Sequence, residues 1–314
     1  MAWSRSTRRL TLAGSLALAG LALSGCTADD LPRFGWPEGV SPQAKAMQHF
    51  WSWTFLAALA VGVLVWGLMF WTFTFHRKKK NSPLYPKQTK ENLPLELVYT
   101  AVPLLMVGVL FYFAVTTENT ALKVIPNPDV KINVVAFQWG WDFGYEGTKN
   151  PDDGGTVHTV GTSTEVPILV LPVKKTIQYT LSSKDVIHSF WVPDFLFKRD
   201  VFPDPKANNT NNVFQNSIDK PLAMVGRCAE LCGTYHFSME FEVRAVPQDV
   251  YREYVGLRAQ KNPSTGRGYT TAEALTKTGN DIKSCGHLCD PLATTTYPID
   301  PNRQARSASE RGGS

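Results

Sequence analysis

Two long stretches without a single Asp, Glu, Lys or Arg decide most of what this chain can become. The first, FWSWTFLAALAVGVLVWGLMFWTFTF, covers residues 50–75; the second, LVYTAVPLLMVGVLFYFAV, covers 97–115 within a segment 95–117. At about 1.5 Å of rise per residue, a helix over either segment crosses the ~30 Å hydrocarbon layer of a bilayer. A buried core helix would not need every face to be apolar, so both are read as transmembrane helices, forming a hairpin. The loop between them, residues 76–94, carries Arg77, Lys78, Lys79, Lys80, Lys87 and Lys90 before its first acid, Glu91. Basic loops stay cytoplasmic, which puts both chain ends on the outer side.

A third apolar run, LTLAGSLALAGLAL at 10–23, follows Arg5, Arg8 and Arg9 and precedes Ser24, Gly25 and Cys26. It is short for a span and reads as a secretion signal over residues 1–25. The sequence LSGC at 23–26 resembles the lipobox of bacterial lipoproteins, which implies that Cys26 is acylated and held in membrane lipid, with residues 26–49 as a short exported segment. The net charge of +5 overstates the basicity: loss of the signal removes three arginines and no acid, and from Glu118 onward acids outnumber bases by one. A nucleic-acid partner is disfavoured, since no basic face is left to neutralise phosphates.

Beyond the second span, residues 118–246 form short runs of β-branched and aromatic residues broken by Pro, Gly and Asn. VKINVVAFQWGWDFGY, VPILVLPVKKTIQYTLSS, VIHSFWVP, FLFKRDVF, NNVFQNS and FSMEFEVRAV each read as strand, with no helical run between them. That succession predicts an all-β antiparallel sandwich or barrel. Residues 146–165 read as a long polar connection with NPDDGG as its turn, 247–260 as one amphipathic helix, and 261–314 as a Ser/Thr/Gly/Pro-rich extension ending in a disordered RQARSASERGGS.

The chemistry concentrates in GRCAELCGTYHFSME, residues 226–240, where Cys228, Cys232, His236 and Met239 fall within twelve positions; His188 lies upstream in IHSF. In an exported domain the plain expectation for two cysteines is a disulfide. Zinc is another candidate for C-x-x-x-C with histidines, but a closed zinc site does not need the thioether. Thiolate, imidazole and a weak thioether are the ligands of a blue-copper site, which uses one cysteine. A second cysteine becomes useful if two copper ions share both sulfurs, with one histidine for each ion.

Together, the two spans, QWGW at 138–141, DVIHSF at 185–190 and GRCAELCGTYHFSM at 226–239 resemble subunit II of the cytochrome c oxidases, from about Val40 to Val255. The resemblance implies a cupredoxin-like exported domain holding a binuclear copper centre. Cys228 and Cys232 would be its bridging thiolates, His188 and His236 its imidazoles, Met239 and the backbone carbonyl of Glu230 its weak ligands. The Glu230 side chain would reach a magnesium or manganese ion shared with subunit I. Trp139 would receive electrons from a c-type cytochrome, which Asp142, Glu146, Asp152 and Asp153 would help to steer, although these acids equally suit a solvated loop. Glu96 would stand at the mouth of a proton path into subunit I.

The activity implied is that of an aa3-type, proton-translocating cytochrome c oxidase, with this chain as the electron port: its remaining histidines, His49, His76, His158 and His287, do not sit inside a span as haem ligands would. Three features depart from the family. Gly140 replaces a common aromatic, which puts the stacking near Trp139 in doubt; PDPKANN replaces a PGR-like turn; and the tail is long. That tail holds Cys285 and Cys289, which suit a disulfide in this compartment. A membrane-tethered copper-delivery protein is the alternative, and it would need the βαβ alternation of a thioredoxin-like fold.

Overall fold

The computed structural model describes residues 33–85, 88–161 and 165–295. Cys26 and the terminal RQARSASERGGS lie outside them. Two compact units are distinguished, one containing Trp51–Arg77 and the other Pro37–Phe50 with the chain from Lys78 onward.

Helix α1 spans Pro42–Phe75 and helix α2 spans Leu93–Ala121. Both have a mean hydropathy of 2.1 over their most apolar window, and no residue of those windows is buried. A helix apolar on every side and covered by none of its own chain is built for lipid. Both helices begin earlier than their uncharged cores, because the polar flanking residues continue the helix. In the first unit α1 is braced by rings: Trp36 stacks on Trp51 at 5.0 Å and Phe34 on Phe55 at 4.2 Å. Helix α2 opens with Asn92, whose side chain accepts from Leu95 N–H at 3.3 Å, while Glu96 Oε1 accepts from Asn92 N–H at 2.9 Å. That reciprocal cap satisfies amides the first helical turn leaves over.

Among its described residues the second unit contains ten strands: β1 Val130–Phe137, β2 Gly140–Lys149, β3 Thr156–Val160, β4 Ile168–Pro172, β5 Ile177–Ser183, β6 His188–Val192, β7 Phe197–Val201, β8 Val213–Asn216, β9 Leu222–Cys228 and β10 Glu240–Val246. They form two five-stranded sheets, ordered β3-β2-β1-β5-β8 and β4-β10-β9-β6-β7. The sandwich is mixed, which corrects the antiparallel expectation: β1 runs parallel to β5, and β10 parallel to β4. Both parallel pairs join strands far apart in sequence, and local alternation carries no information about such crossovers. Two strands also lie outside the expected runs. β3 occupies part of the supposed polar connection, since NPDDGG closes a tight hairpin in which Asn150 N–H bonds Gly155 O at 2.7 Å. β9 is interrupted in pattern by Gly226, where a Cβ would stand 2.0 Å from the Phe241 ring.

Between the sheets, Trp141, Phe143, Tyr179, Phe190, Phe214 and Phe241 interlock, mostly through edge-to-face and offset contacts such as Trp141–Phe241 at 5.2 Å and Phe190–Phe241 at 4.9 Å. Helix α3, Gln248–Arg258, and helix α4, Thr271–Asp281, follow. The extension is therefore structured to residue 295: α4 carries a capping box between Thr270 and Glu273, and Cys285 is bonded to Cys289.

Candidate metal centre

Strand pairing creates the site. β9 and β10 are antiparallel with Arg227 opposite Glu240, so residues 229–239 are the loop that joins them. β6 lies on the other side of β9, with Phe190 opposite Cys228, which brings His188 to the base of that loop. Cys228 N–H donates to Met239 O at 3.1 Å and Ala229 N–H to Ser189 O at 3.0 Å, fixing both ends.

Cys228 and Cys232 are buried free thiols with sulfurs 3.8 Å apart. A disulfide requires about 2.05 Å, whereas a soft ion with bonds of about 2.3 Å can join two sulfurs at this separation. The other donors divide into two neighbourhoods. His188 Nδ1 is 3.8 Å and the Glu230 carbonyl 3.2 Å from Cys228 Sγ; His236 Nδ1 is 3.6 Å and Met239 Sδ 3.8 Å from Cys232 Sγ. The ligand atoms of His188, Cys228 and Cys232 all lie within 4.8 Å of one another, and His236 stands outside that group.

The surroundings also suit a metal. His188 Nε2 meets Asp185 Oδ1 at 2.9 Å, leaving Nδ1 turned towards the sulfur, the outer carboxylate arrangement that orients metal-bound imidazoles. Burial disfavours the Asp185 carboxylate, but His188 and the backbone N–H groups of Gln138 and Val186 outweigh it and hold its pKa below the usual range. Burial likewise resists a charged His188, and its bonds with Cys228 and Asp185 reverse that and raise its pKa. Cys228 is opposed by burial yet drawn down to about 7, chiefly by His188 and by backbone groups of Glu230 and Ser189. Burial first, then the neighbouring Cys228, push Cys232 up to about 12. One thiolate forms readily here and the second does not, unless a cation sits between them. The donor set thus fits soft metal ions.

Two family models match: cytochrome c oxidase subunit II, periplasmic domain, over residues 130–246, and the transmembrane domain of the same subunit over 32–116. A probable cytochrome c oxidase subunit 2 of Nocardia farcinica is 44% identical, covering 97% of this chain and 91% of that protein. The chain belongs to the cytochrome c oxidase subunit II family. Cytochrome c oxidase subunit 2 of Mycobacterium tuberculosis (strain ATCC 25618 / H37Rv) is 40% identical over 96% of this chain and 91% of its own length. The crystal structure of the periplasmic domain of subunit II of cytochrome oxidase (CoxB) of Bradyrhizobium japonicum aligns at 26% identity over 42% of this chain and 95% of that one, with a TM-score of 0.35. Membership makes this a membrane protein of an oxidoreductase complex with its C-terminal domain on the outer side, and the copper-delivery alternative is set aside. The cluster of His188, Cys228 and Cys232 is compatible with copper.

The remaining residues singled out by sequence are spread more widely. Trp139 sits in the β1–β2 turn, half-buried, its ring edge-on to Tyr235 at 5.0 Å and its Nε1 3.3 Å from the Cys232 carbonyl. The Gly140 departure is filled locally: a Cβ there would stand 2.8 Å from the Phe137 ring. The acids are largely engaged inside the domain. Asp142 Oδ1 bonds His158 Nδ1 at 2.7 Å, Asp152 accepts from Gly268 N–H and Asp153 from Gly155 N–H, both at 2.8 Å, while Asp152 and Asp153 remain exposed. The Glu230 side chain is exposed while its carbonyl faces Cys228. PDPKANN folds into a self-contained turn in which Asp204 Oδ1 accepts from Ala207 N–H at 2.9 Å.

Sequence reasoning missed Asp185, Gln138 and Gly233. Asp185 carried a signal, being three residues before His188 on an approach to a strand. Gln138 and Gly233 stand inside the quoted QWGW and GRCAELCGTYHFSM motifs, but nothing local marks their role, because Gln138 meets Asp185 forty-seven positions on and the Cys232–Gly233 turn more than ninety positions on.

Proposed function

We propose that this chain is the electron port of its oxidase, with His188, Cys228, Glu230, Cys232, His236 and Met239 holding two copper ions. The observation that carries the reading is the division of donors around two sulfurs 3.8 Å apart, one imidazole and one weak ligand beside each. A single tetrahedral ion would gather both histidines into one group, whereas His236 is not a member of the close group that His188, Cys228 and Cys232 form and approaches from the Cys232 side at 3.6 Å. Copper bound there supplies a one-electron store between a c-type cytochrome and the haem of subunit I.

The residues of the chain do the rest. Asp185 fixes the His188 ring so that Nδ1 faces the metal position. Burial of both cysteines and Met239 keeps water out and limits the reorganisation that accompanies a change in charge. Trp139 lies at the surface end of a short path, indole N–H to the Cys232 carbonyl, suited to receive the electron. Leu231, Tyr235 and Phe237, exposed to 77%, 53% and 54%, give the loop an apolar rim for protein partners, subunit I among them. The exposed Glu230 carboxylate is available to a magnesium or manganese ion at that boundary. Glu96, beside the helix cap, takes the position of the proton-path mouth, and acylated Cys26 anchors the N-terminus.

The test is copper per polypeptide together with electron spin resonance of the purified full chain. Two copper ions sharing one unpaired electron are expected, and Cys228→Ser should abolish the shared-valence signal. A single ion, or survival of that signal in Cys228→Ser, overturns the reading.

A further inference from the structure

The turn that presents Trp139 also carries Gln138, a residue the ligand set does not require. Its side-chain Nε2 donates to the Cys232 carbonyl at 2.7 Å. Its backbone N–H donates to Asp185 Oδ2, also at 2.7 Å, and Asp185 Oδ1 meets His188 Nε2 at 2.9 Å. One residue of a turn of the first sheet thereby reaches both halves of a ligand set built on the second. The Cys232 carbonyl receives the Trp139 indole as well, and Gly233 leaves room for both donors. At its φ of +122° a Cβ would stand 3.1 Å from Gln138 Nε2 and from the indole ring.

Trp141 Nε1 of β2 holds the far end of the loop at the Met239 carbonyl, 3.4 Å away, and leaves the stretch around Cys232 to Gln138 and Trp139. The loop's internal hydrogen bonds, His236 N–H to Gly233 O and Ser238 N–H to Tyr235 O, both at 3.1 Å, shape a turn without fixing it to the opposite sheet. Leu231, Gly233, Thr234, Tyr235 and Phe237 are all exposed, so packing holds the loop only where Cys232 and Met239 are buried.

We propose that Gln138 is a positioning residue: its amide pins the Cys232 carbonyl and keeps the 229–239 loop in the arrangement that accepts metal. The proposal rests on the copper reading above. Without the bond, metal-free molecules spend more time with Cys232 and His236 displaced, and apparent affinity falls in proportion to the competent fraction. Gln138 sets how ready the site is, and Trp139 then meets a carbonyl whose place is fixed.

The experiment compares the full-length chain with Gln138→Met, which keeps the length of the side chain and removes the donor. Copper affinity by chelator competition should fall about tenfold, the low end for an outer hydrogen bond to a metal ligand because this amide also faces water. Amide exchange at His236 in the metal-free chain should quicken by a similar factor, while Val134 in the core of β1 keeps its rate. Unchanged affinity and unchanged His236 exchange, in a wild type that holds two copper ions, overturn the role of Gln138 alone. A wild type that takes up no copper overturns the copper reading with it. If Val134 also exchanges faster the fold itself has been weakened; Gln138→Glu, which keeps the shape and replaces the donor by an acceptor, then repeats the comparison with the same two outcomes.

Discussion

Removing the Arg244 guanidinium should release the C-terminal segment from the sandwich. Arg244 and Glu242 lie two residues apart on β10, on the face turned away from the aromatic core, and both are fully buried. Arg244 Nε bonds Glu242 Oε1 at 2.7 Å. Its other nitrogens donate to the carbonyls of Leu288 at 3.1 Å, Leu292 at 2.6 Å and Asp290. Glu242 Oε2 in turn accepts from Thr294 N–H at 2.6 Å and from Thr295 N–H and Oγ1 at 2.7 Å. The segment thus offers carbonyls to the cation and amides to the anion, and it buries β10 on its second face. Arg244→Met leaves three carbonyls and a buried carboxylate without the guanidinium. Deleting one partner of a buried pair costs about 3–5 kcal/mol.

At about 1.4 kcal/mol per tenfold, that is roughly two to three and a half orders of magnitude in the opening equilibrium of the segment. Amide exchange at Thr294 and Thr295 reads it directly, because their N–H groups bond Glu242. Exchange at Thr294 within threefold of wild type in Arg244→Met would refute the clasp.

Three further outcomes follow from the geometry. Asp185→Asn should weaken copper affinity about 10- to 100-fold by loosening the His188 ring, measured by chelator competition; unchanged affinity removes Asp185 from the site. Asp194, whose pKa is raised first by burial and then by the charge of Glu38, stabilises the fold most below its unfolded pKa of about 3.9, and that contribution is lost as pH rises through the folded value. Asp194→Asn should therefore be more stable than wild type at neutral pH with the gap closing towards acid, and denaturation between pH 3.5 and 7 showing a constant gap would contradict this. Trp139→Phe keeps a ring beside Tyr235 and loses the indole N–H, so reduction by a c-type cytochrome should slow with copper content unchanged; an equal rate returns Trp139 to a packing role.

The parts legible in sequence are those whose constraint is local. Lipid demands unbroken apolar length, so both helices stand out, although their ends extend into polar residues. The ligand cluster is legible because Cys228, Cys232, His236 and Met239 belong to one loop and the strand end that opens it. Local signals were also passed over: Thr270 and Glu273 form the T-x-x-E pattern of a capping box, yet α4 lay in a tail read by composition. Glu242 and Arg244 alternate with apolar residues as solvated charges on a half-exposed strand do. Only the docked segment, whose closest contact with the pair is more than forty positions away, turns them into an interior clasp.

What separates a list of ligands from a metal site is one strand pairing. The end of β9 and the loop after it bring four donors and the Glu230 carbonyl by themselves, and a disulfide between the two cysteines would satisfy the same spacing. His188 arrives only when β6 pairs with β9, and that pairing is short, Phe190 with Cys228 and Trp191 with Arg227. Asp185 reaches the β1–β2 turn through Gln138 N–H, so the first sheet must also be in place before the imidazole is oriented. Metal-ready geometry is therefore a property of the closed sandwich and not of the cysteine motif. Ions that bind after closure stabilise the β6–β9 pairing and the hold of the two sheets on each other, because they add affinity only to the state in which all three segments meet.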